Sequence, residues 1–232
     1  MKVKILGSGS SKGIPQAGSF WGEANPNNEK NKRTRSSILI EINSKNFYID
    51  TGPDFRYHMN KYNISKIDAL LYTHGHSDHI DGVSDTLEFG LDSDHRIKTY
   101  LSQETHQIIT QRFADLFNPV KNHRTHDRLD FEIVEDGRSV DFTGEKVKFF
   151  EVIHGVLNPT AFRCGAFAYV PDFNILSPSA MENLKGLDVL LINANEGFHK
   201  ASPTGSHSDF YHIFEINKVL KAKKVILNHI SS

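Results

Sequence analysis

The sequence lacks the cysteines that a disulfide-stabilised or thiolate-bound fold requires. Cys164 is the single cysteine among 232 residues. An intramolecular disulfide and a metal cluster built on cysteines alone are therefore both excluded. This scarcity is typical of a reducing compartment, and we expect the protein to be cytoplasmic.

Long apolar runs and an excess of either charge are also lacking. No apolar stretch approaches the roughly 20 residues that cross a bilayer, and the first residues, MKVKILGSGSSKG, do not form a signal-peptide pattern. We therefore expect no membrane partner. The formal net charge of −1 gives no global positive field for a polyanion, so we do not expect a nucleic acid partner.

The remaining composition is that of a folded soluble protein. Hydrophobic residues make up 38% of the chain and charged residues 24%, which is ordinary for a globular domain. A chain of this length buries a sizeable core without disulfides or a structural metal. No repeat or linker is present, and we predict one domain spanning residues 1–232.

Short apolar runs bounded by Gly, Asn and Ser alternate with helical patterns along the chain. We predict strands at residues 3–6, 37–42, 46–50, 69–73, 98–101, 131–134, 139–142, 147–153, 166–170, 189–193 and 224–228. Helices are predicted at residues 55–62, 78–89, 102–117 and 210–220, and a long loop at residues 14–35. The order of strands and helices in each half predicts an α/β (α+β) fold with two mixed sheets covered by helices.

The strongest chemical signal is the segment THGHSDH at residues 73–79, directly after an apolar strand. Residues two apart at a strand end can point the same way, so His74 and His76 can bind one ion. Asp78 and His79 stand at the start of a helix and can face a second ion. Imidazole and carboxylate ligands together suit Zn²⁺, Mn²⁺ or Fe²⁺. The alternative is a solvated loop in which the histidines meet by chance.

Three more residues with metal-binding side chains follow apolar runs. They are His154, Asp172 and His229. Each taken singly is also consistent with an ordinary surface residue. With the first cluster they make seven ligands, which suits two ions that share a carboxylate and a water.

The order of these seven residues resembles that of the metallo-β-lactamase superfamily. The resemblance implies a four-layer αβ/βα sandwich with two divalent metal ions, Zn²⁺, Mn²⁺ or Fe²⁺, at one edge of the sheets. It implies one ion on His74, His76 and His154, and a second on Asp78, His79 and His229. Asp172 matches the carboxylate that bridges them.

Four further segments resemble the phosphoribosyl 1,2-cyclic phosphate phosphodiesterase branch, which is related to tRNA 3′-end endonucleases. They are LGSGSSKGIP at 6–15, NPNNEKNKRTRSS at 25–37, IDTGPD at 49–54 and PTGSH at 203–207. The resemblance implies hydrolysis of a small cyclic or nucleotide-like phosphodiester, with a metal-bridging hydroxide as the nucleophile. Some members bind a structural zinc through cysteines in the 16–30 region. Because that region has none here, we predict no structural zinc and expect aromatic packing to hold residues 18–22.

Catalytic roles are predicted for Asp78 and His207. Asp78 is expected to orient the nucleophile or take its proton. His207 is the candidate general acid or phosphate contact, with a surface histidine as the alternative and His199 as a weaker competitor. Asp50 matches an aspartate that hydrogen-bonds a metal-binding histidine in the family, while the alternative is a turn cap.

Substrate contacts are the weakest predictions, and they fall on Ser10, Arg33 and Arg35. The glycine-rich loop at residues 7–13 can present backbone N–H groups to an anion, although a tight turn explains it equally well. The loop lacks the Walker spacing, which excludes a P-loop NTPase.

Two other functions are left open by the sequence. One is a hydrolase of another ester class, a lactone, a thioester or a β-lactam. The other is a metal-binding remnant without turnover, which the end of the chain three residues after His229 favours. A tRNA substrate is disfavoured because the densest basic run, KNKRTR at residues 30–35, is short. A homodimer is also left open.

Overall fold

The computed structural model describes residues 1–87, 89, 96–118, 128–202 and 205–232. These residues form two compact units, one made of residues 1–7 and 36–134 and the other of residues 8–35 and 135–232. Each unit contains one mixed six-stranded sheet with helices. The α/β class with two mixed sheets is therefore confirmed, while a single domain over residues 1–232 stays a prediction.

The sheet of the first unit combines an antiparallel half with a parallel half. In sheet order, its strands are β1 (Lys2–Gly7), β2 (Ser37–Ile42), β3 (Lys45–Ile49), β4 (Ala69–Tyr72), β5 (Ile97–Leu101) and β6 (Leu129–Ile133). Strands β1 to β3 pair antiparallel, and β3 to β6 pair parallel. Asn43 and Ser44 have φ of 47° and 63°, as a two-residue hairpin turn requires. The parallel strands β3 and β4 end at the same edge of the sheet, which brings the residues after them together.

The helices of the first unit are α1 (Phe55–Tyr62), α2 (Ser77–Ile80), α3 (Val83–Thr86) and α4 (Gln103–Arg112). Helix α1 has the predicted bounds. Ser102 caps α4 by accepting a hydrogen bond from the Thr105 amide at 3.2 Å. The core of this unit contains fully buried Tyr48, Phe55 and Leu70.

The prediction of one helix over residues 78–89 is wrong. The helix is interrupted between α2 and α3, where the Gly82 amide donates to the Thr51 carbonyl at 2.7 Å. A Cβ on Gly82 would lie 2.4 Å from the Gly52 carbonyl oxygen, so the two backbones approach as only glycine allows. This tertiary contact prevails over the local helical pattern. Residue 88, within the predicted helix, lies outside the described residues.

The sheet of the second unit has the same order of pairing along the chain, with antiparallel strands first and parallel strands after them. Its strands, in sequence, are β7 (Ser139–Phe142), β8 (Glu145–Glu151), β9 (Thr160–Cys164), β10 (Phe167–Val170), β11 (Val189–Asn193) and β12 (Lys224–Asn228). Strands β7 to β10 pair antiparallel and β10 to β12 parallel. Strand β9 was not anticipated from the sequence, yet it joins β8 to β10.

Two helices, α5 (Pro178–Asn183) and α6 (Phe210–Leu220), and a 3-10 helix at Glu29–Asn31 complete the second unit. Its core includes Phe150, Val170, Leu190 and Ile213, all nearly or fully buried. Because β10, β11 and β12 are parallel, the residues that follow them meet at one sheet edge. None of the helices in the described part of the chain has the length and apolar character to cross a membrane.

The long loop at residues 14–35 is held by its backbone. Ile14 and Arg33 form a bridge, and the Gln16 amide donates to the Phe20 carbonyl at 2.8 Å. A Cβ on Gly22 would lie 2.5 Å from Ser232 Oγ, so the turn is packed closely at that point. Phe20 is 61% exposed. The expectation that aromatic packing holds residues 18–22 is therefore wrong for Phe20.

A buried histidine in α1 makes the stability of the protein depend on pH. His58 is 1% exposed, and burial lowers its pKa from 6.5 to about 4. Between these two values the unfolded chain binds a proton that the folded chain does not. Stability therefore falls as pH falls from about 6.5 towards 4, by about 3 kcal/mol in total.

We expect His58→Gln to remove this dependence, because glutamine does not titrate. The wild-type protein should exceed the variant in free energy of unfolding at pH 7.5, and the difference should shrink by about 3 kcal/mol towards pH 4. Urea unfolding at several pH values measures it. A difference that stays constant over this pH range would contradict the assignment.

Candidate functional site

The first unit presents five of the predicted site residues at the ends of β3 and β4. Asp50 directly follows β3, and residues 74–79 follow β4. Asp50 has a φ of 58°, a left-handed conformation that costs free energy for a residue with a Cβ. Such backbone strain is found most often at functional positions. Among these five residues only the His76 side chain is exposed.

Two imidazole nitrogens converge after β4. His74 Nε2 lies 3.1 Å from His76 Nδ1. Nitrogens that share a tetrahedral zinc at 2.0–2.1 Å lie about 3.3 Å apart. The spacing therefore fits two ligands of one metal ion, as expected from the alternation of residues at a strand end.

Asp50 determines which ring nitrogen of His79 is left to bind a metal ion. Asp50 Oδ2 lies 2.7 Å from His79 Nδ1, and the carboxylate accepts the Nδ1–H. The other ring nitrogen, Nε2, lies 3.2 Å from Asp78 Oδ2, again a separation that suits two ligands of one ion. This contact fixes the orientation of the His79 imidazole.

The same carboxylate reaches His74 through Thr73. The Thr73 hydroxyl donates to Asp50 Oδ2 at 2.8 Å, so its oxygen is left to accept from His74 Nδ1, 3.0 Å away. The Thr73 amide also donates to Asp50 Oδ1 at 2.8 Å. One buried aspartate thus sets the orientation of two imidazoles and leaves both Nε2 atoms available for a metal.

The surroundings of His79 favour a positive charge. Burial alone would lower the pKa of His79, but the carboxylates of Asp78 and Asp50 outweigh it and hold the pKa well above 6.5. The carboxylates that stabilise a proton on His79 Nε2 would therefore also stabilise a metal cation at that position. Metal binding at a histidine displaces such a proton.

In the second unit, the carboxylate of Asp172 is surrounded by three histidines, His154, His207 and His229. Asp172 Oδ2 lies 3.9 Å from His154 Nε2 and 3.8 Å from His207 Nδ1. Asp172 Oδ1 lies 3.4 Å from His229 Nε2. The two oxygens of Asp172 are thus divided between His154 and His229, which is the arrangement that a bridging carboxylate needs.

Two neighbouring contacts fix this arrangement. His154 Nδ1 donates to the Ser206 carbonyl at 2.6 Å, which leaves its Nε2 available as a ligand. Asn193, at the end of β11, donates its side-chain amide to Asp172 Oδ1. His229 follows β12 with a φ of 54°, so a second site residue has a left-handed backbone.

His207 and His199 lie in different surroundings. The His207 side chain is 24% exposed, and its ring centroid is 4.6 Å from that of His154 and 5.9 Å from that of His229. His199 is 63% exposed and pairs with Glu23 at 3.4 Å. The structure therefore brings His207 to the carboxylate cluster and pairs His199 with the loop at residues 14–35. Residues 203–204, which belong to the segment that carried the resemblance, lie outside the described residues.

The glycine-rich loop is a packed turn. The amides of Gly9, Ser10 and Gly13 donate to carbonyls of Thr34, Ile230 and Ser10 at 2.8–3.1 Å. These N–H groups are used within the protein, so the tight-turn alternative is favoured over an anion-binding loop.

The three predicted substrate contacts lie in or beside this turn. Ser10 is buried, and its amide is bonded to the residue after His229. Arg35 Nε donates to the Ser11 carbonyl at 2.9 Å. Arg33 bridges Ile14 through its backbone. Their contact with substrate remains a prediction.

Two residues that position the site were not assigned a role from the sequence. Thr73 links Asp50 to His74, and Asn193 holds Asp172. The sequence marks these two residues only by their position. Thr73 directly follows the strand β4, and Asn193 is the last residue of the strand β11. Thr and Asn are common at such positions as turn residues, so position alone could not identify them.

The donor set of the two units is of the kind that binds divalent metal ions. Imidazoles and carboxylates form pairs whose ligand atoms lie within 4.8 Å of each other in each unit. The imidazoles of His74, His79 and His154 are oriented by partners on their Nδ1 atoms. The identity and number of the ions are not fixed by these contacts.

Comparison with known proteins gives a family match over most of the chain. The model of the beta-lactamase superfamily domain matches residues 45–230. A crystal structure of a diphosphatase from the PhnP family is similar, with 31% sequence identity and a TM-score of 0.87. That match covers 99% of this chain and 86% of the other.

Two other proteins similar to this chain have names that denote different activities. The structure of human tRNase Z, short form, has a TM-score of 0.75 at 18% identity and covers 100% of this chain and 89% of that one. This is a likeness of fold. An octanoyltransferase of Porphyromonas gingivalis (strain ATCC BAA-308 / W83) is 29% identical over 197 residues, which are 83% of this chain. This chain spans only 39% of the length of that curated relative.

Proposed function

The chain belongs to the beta-lactamase superfamily and has the metallo-β-lactamase fold. From that premise we propose that it is a hydrolase that cleaves a small cyclic or nucleotide-like phosphodiester with two divalent metal ions. The superfamily and the fold that the sequence resemblance implied are confirmed. The substrate class and the pair of ions are the proposal. Similarity to a diphosphatase of the PhnP family supports a substrate that contains phosphate.

The observation that carries the proposal is the division of the Asp172 oxygens. One oxygen faces His154 at 3.9 Å and the other faces His229 at 3.4 Å. A carboxylate shared in this way suits two neighbouring ions better than one. The preorganised imidazoles of His74 and His79 support it further.

The ligand assignment follows the family resemblance. We assign one ion to His74, His76 and His154. We assign the second to Asp78, His79 and His229, with Asp172 shared between the ions. Zn²⁺, Mn²⁺ and Fe²⁺ all suit imidazole and carboxylate ligands. Bound there, divalent ions supply a lowered pKa for water and positive charge for the oxygens of the phosphodiester.

The side chains supply proton transfer and orientation. Asp78 is 6% exposed, and its carboxylate accepts a proton from the attacking water or orients it. His207 is the candidate acid, because its partly exposed ring lies beside Asp172 and a protonated imidazole can donate to the leaving oxygen. Asp50 and Thr73 keep the metal-binding imidazoles in the orientation described above.

Metal analysis combined with an ester panel tests the proposal. We expect about two metal ions per chain, and turnover of bis(p-nitrophenyl) phosphate that a chelator abolishes and added Zn²⁺ or Mn²⁺ restores. p-Nitrophenyl acetate and a lactone are assayed beside it. Turnover of only these two would keep the fold and refute the phosphodiesterase. Bound metal without turnover of any ester would favour a binding remnant, and protein that binds no metal would overturn the proposal at its first step.

A further inference from the structure

A cavity of about 680 Å³ lies within the second unit, between the loop at residues 14–35, the turn at residues 196–199, the start of α6 and the last residues of the chain. Its volume is in the range of small-molecule sites. Its lining residues are distinct from the proposed metal ligands. Ile14, Phe198, Phe210 and Ile230 supply apolar surface, and Glu23 and Glu196 supply carboxylates.

The lining of the cavity is linked through the backbone to two residues of the proposed site, His207 and His229. Ile230, which lines it, directly follows His229. The Glu196 amide donates to the carbonyl of Ser208, the residue after His207, at 3.2 Å. The lining of the cavity is thus one peptide bond from His229 and one backbone hydrogen bond from the residue after His207.

The aromatic ring of Phe198 lines the cavity and is held by a neighbouring aromatic ring. Phe198 is 78% exposed, and its ring packs edge-on against Phe210 at a centroid distance of 4.5 Å. The contact with Phe210 orients the ring while most of its surface stays accessible. A planar ligand that stacks on it would cover that surface, and stacking of a base on an aromatic side chain is favourable for every base.

The polar groups of the cavity call for hydrogen-bond donors on the ligand. The Glu23 carboxylate, which pairs with His199 at 3.4 Å, and the Glu196 carboxylate accept hydrogen bonds. Asn25 both donates and accepts, and Arg33 brings a positive charge. Ribose hydroxyls and the exocyclic amines of bases are donors of this kind.

We propose that this cavity binds the nucleoside part of the substrate, with the base stacked on Phe198. The inference rests on the proposed function for the placement of the phosphate, and it narrows the substrate class to diesters with a nucleoside group. It also gives Arg33, a weak prediction from the sequence, a place in substrate binding.

The test compares two diesters that have the same leaving group. Adenosine 5′-(p-nitrophenyl phosphate) carries a nucleoside with ribose hydroxyls and an exocyclic amine, and methyl p-nitrophenyl phosphate does not. We expect the wild-type holoenzyme to prefer the nucleoside diester in kcat/KM, and Phe198→Ala to reduce this preference about tenfold, mainly through KM. Phe214→Ala on α6 is the matched control, because Phe214 is also exposed, at 63%, and does not line the cavity. The control should keep the wild-type preference.

A binding measurement separates this inference from the proposed function. Adenosine 5′-monophosphate is not a diester, so its equilibrium dialysis against the holoenzyme does not depend on diester turnover, and we expect Phe198→Ala to weaken binding about tenfold while Phe214→Ala does not. Such binding without diester turnover would refute the phosphodiesterase and retain the nucleoside site. Turnover of both diesters with equal kcat/KM, or an equal effect of the two phenylalanine variants, would overturn the nucleoside site and leave the proposed function intact.

Discussion

Asp172→Asn is expected to reduce phosphodiester turnover by on the order of 1000-fold and to lower bound metal from about two ions per chain to one or none. Asparagine has nearly the shape of aspartate, but it removes the negative charge and replaces one carboxylate oxygen with an amide. In the native protein one oxygen faces His154 and the other His229. The amide removes one of these ligand oxygens, and the loss of the shared negative charge weakens the binding of both proposed ions at once.

Elemental analysis and initial rates on bis(p-nitrophenyl) phosphate measure the two effects separately. Asp188→Asn is the matched control, since Asp188 also lies in the second unit but is half exposed and pairs with Lys223 at 2.7 Å. The control should keep both metal and turnover. An Asp172→Asn protein with two ions and wild-type rates would refute the shared carboxylate.

Gly52→Ala is expected to cost more than about 3 kcal/mol and to lower the unfolding midpoint by about 10 °C. A Cβ at position 52 would lie 1.9 Å from the Asp78 carbonyl oxygen, a distance that no small side-chain adjustment can relieve because the obstacle is backbone. The turn after β3 is therefore packed directly against α2, which carries Asp78 and His79. Displacing α2 should also weaken metal binding.

Thermal unfolding and metal titration of the same preparation test this prediction. Gly186→Ala provides the comparison, because Gly186 has a φ of 69° and a Cβ there would meet no atom of the described residues within 4 Å. It should cost only about 1 kcal/mol, from the left-handed backbone alone. An equal loss of stability in the two variants would show that the close approach of residues 52 and 78 is not what destabilises the Gly52→Ala protein.

Local patterns were enough to predict much of the secondary structure. Helices α1 and α6 have the predicted bounds, since their apolar spacing and flanking residues agree with their tertiary positions. The failures have tertiary causes. The predicted helix at residues 78–89 is broken where Gly82 approaches Gly52, and β9 was missed because its place depends on pairing with β8 and β10.

The sequence by itself determined the family, the fold class and the candidate ligands, because imidazoles and carboxylates placed after strands in a fixed order carry that information locally. Tertiary structure alone decided how those side chains are used. It showed Asp50 acting on His79 directly and on His74 through Thr73, Asn193 holding Asp172, and a cavity formed by segments far apart in the chain. The physical reason is that hydrogen-bond partners and cavity walls are set by which strands lie side by side, and a local pattern does not specify that pairing.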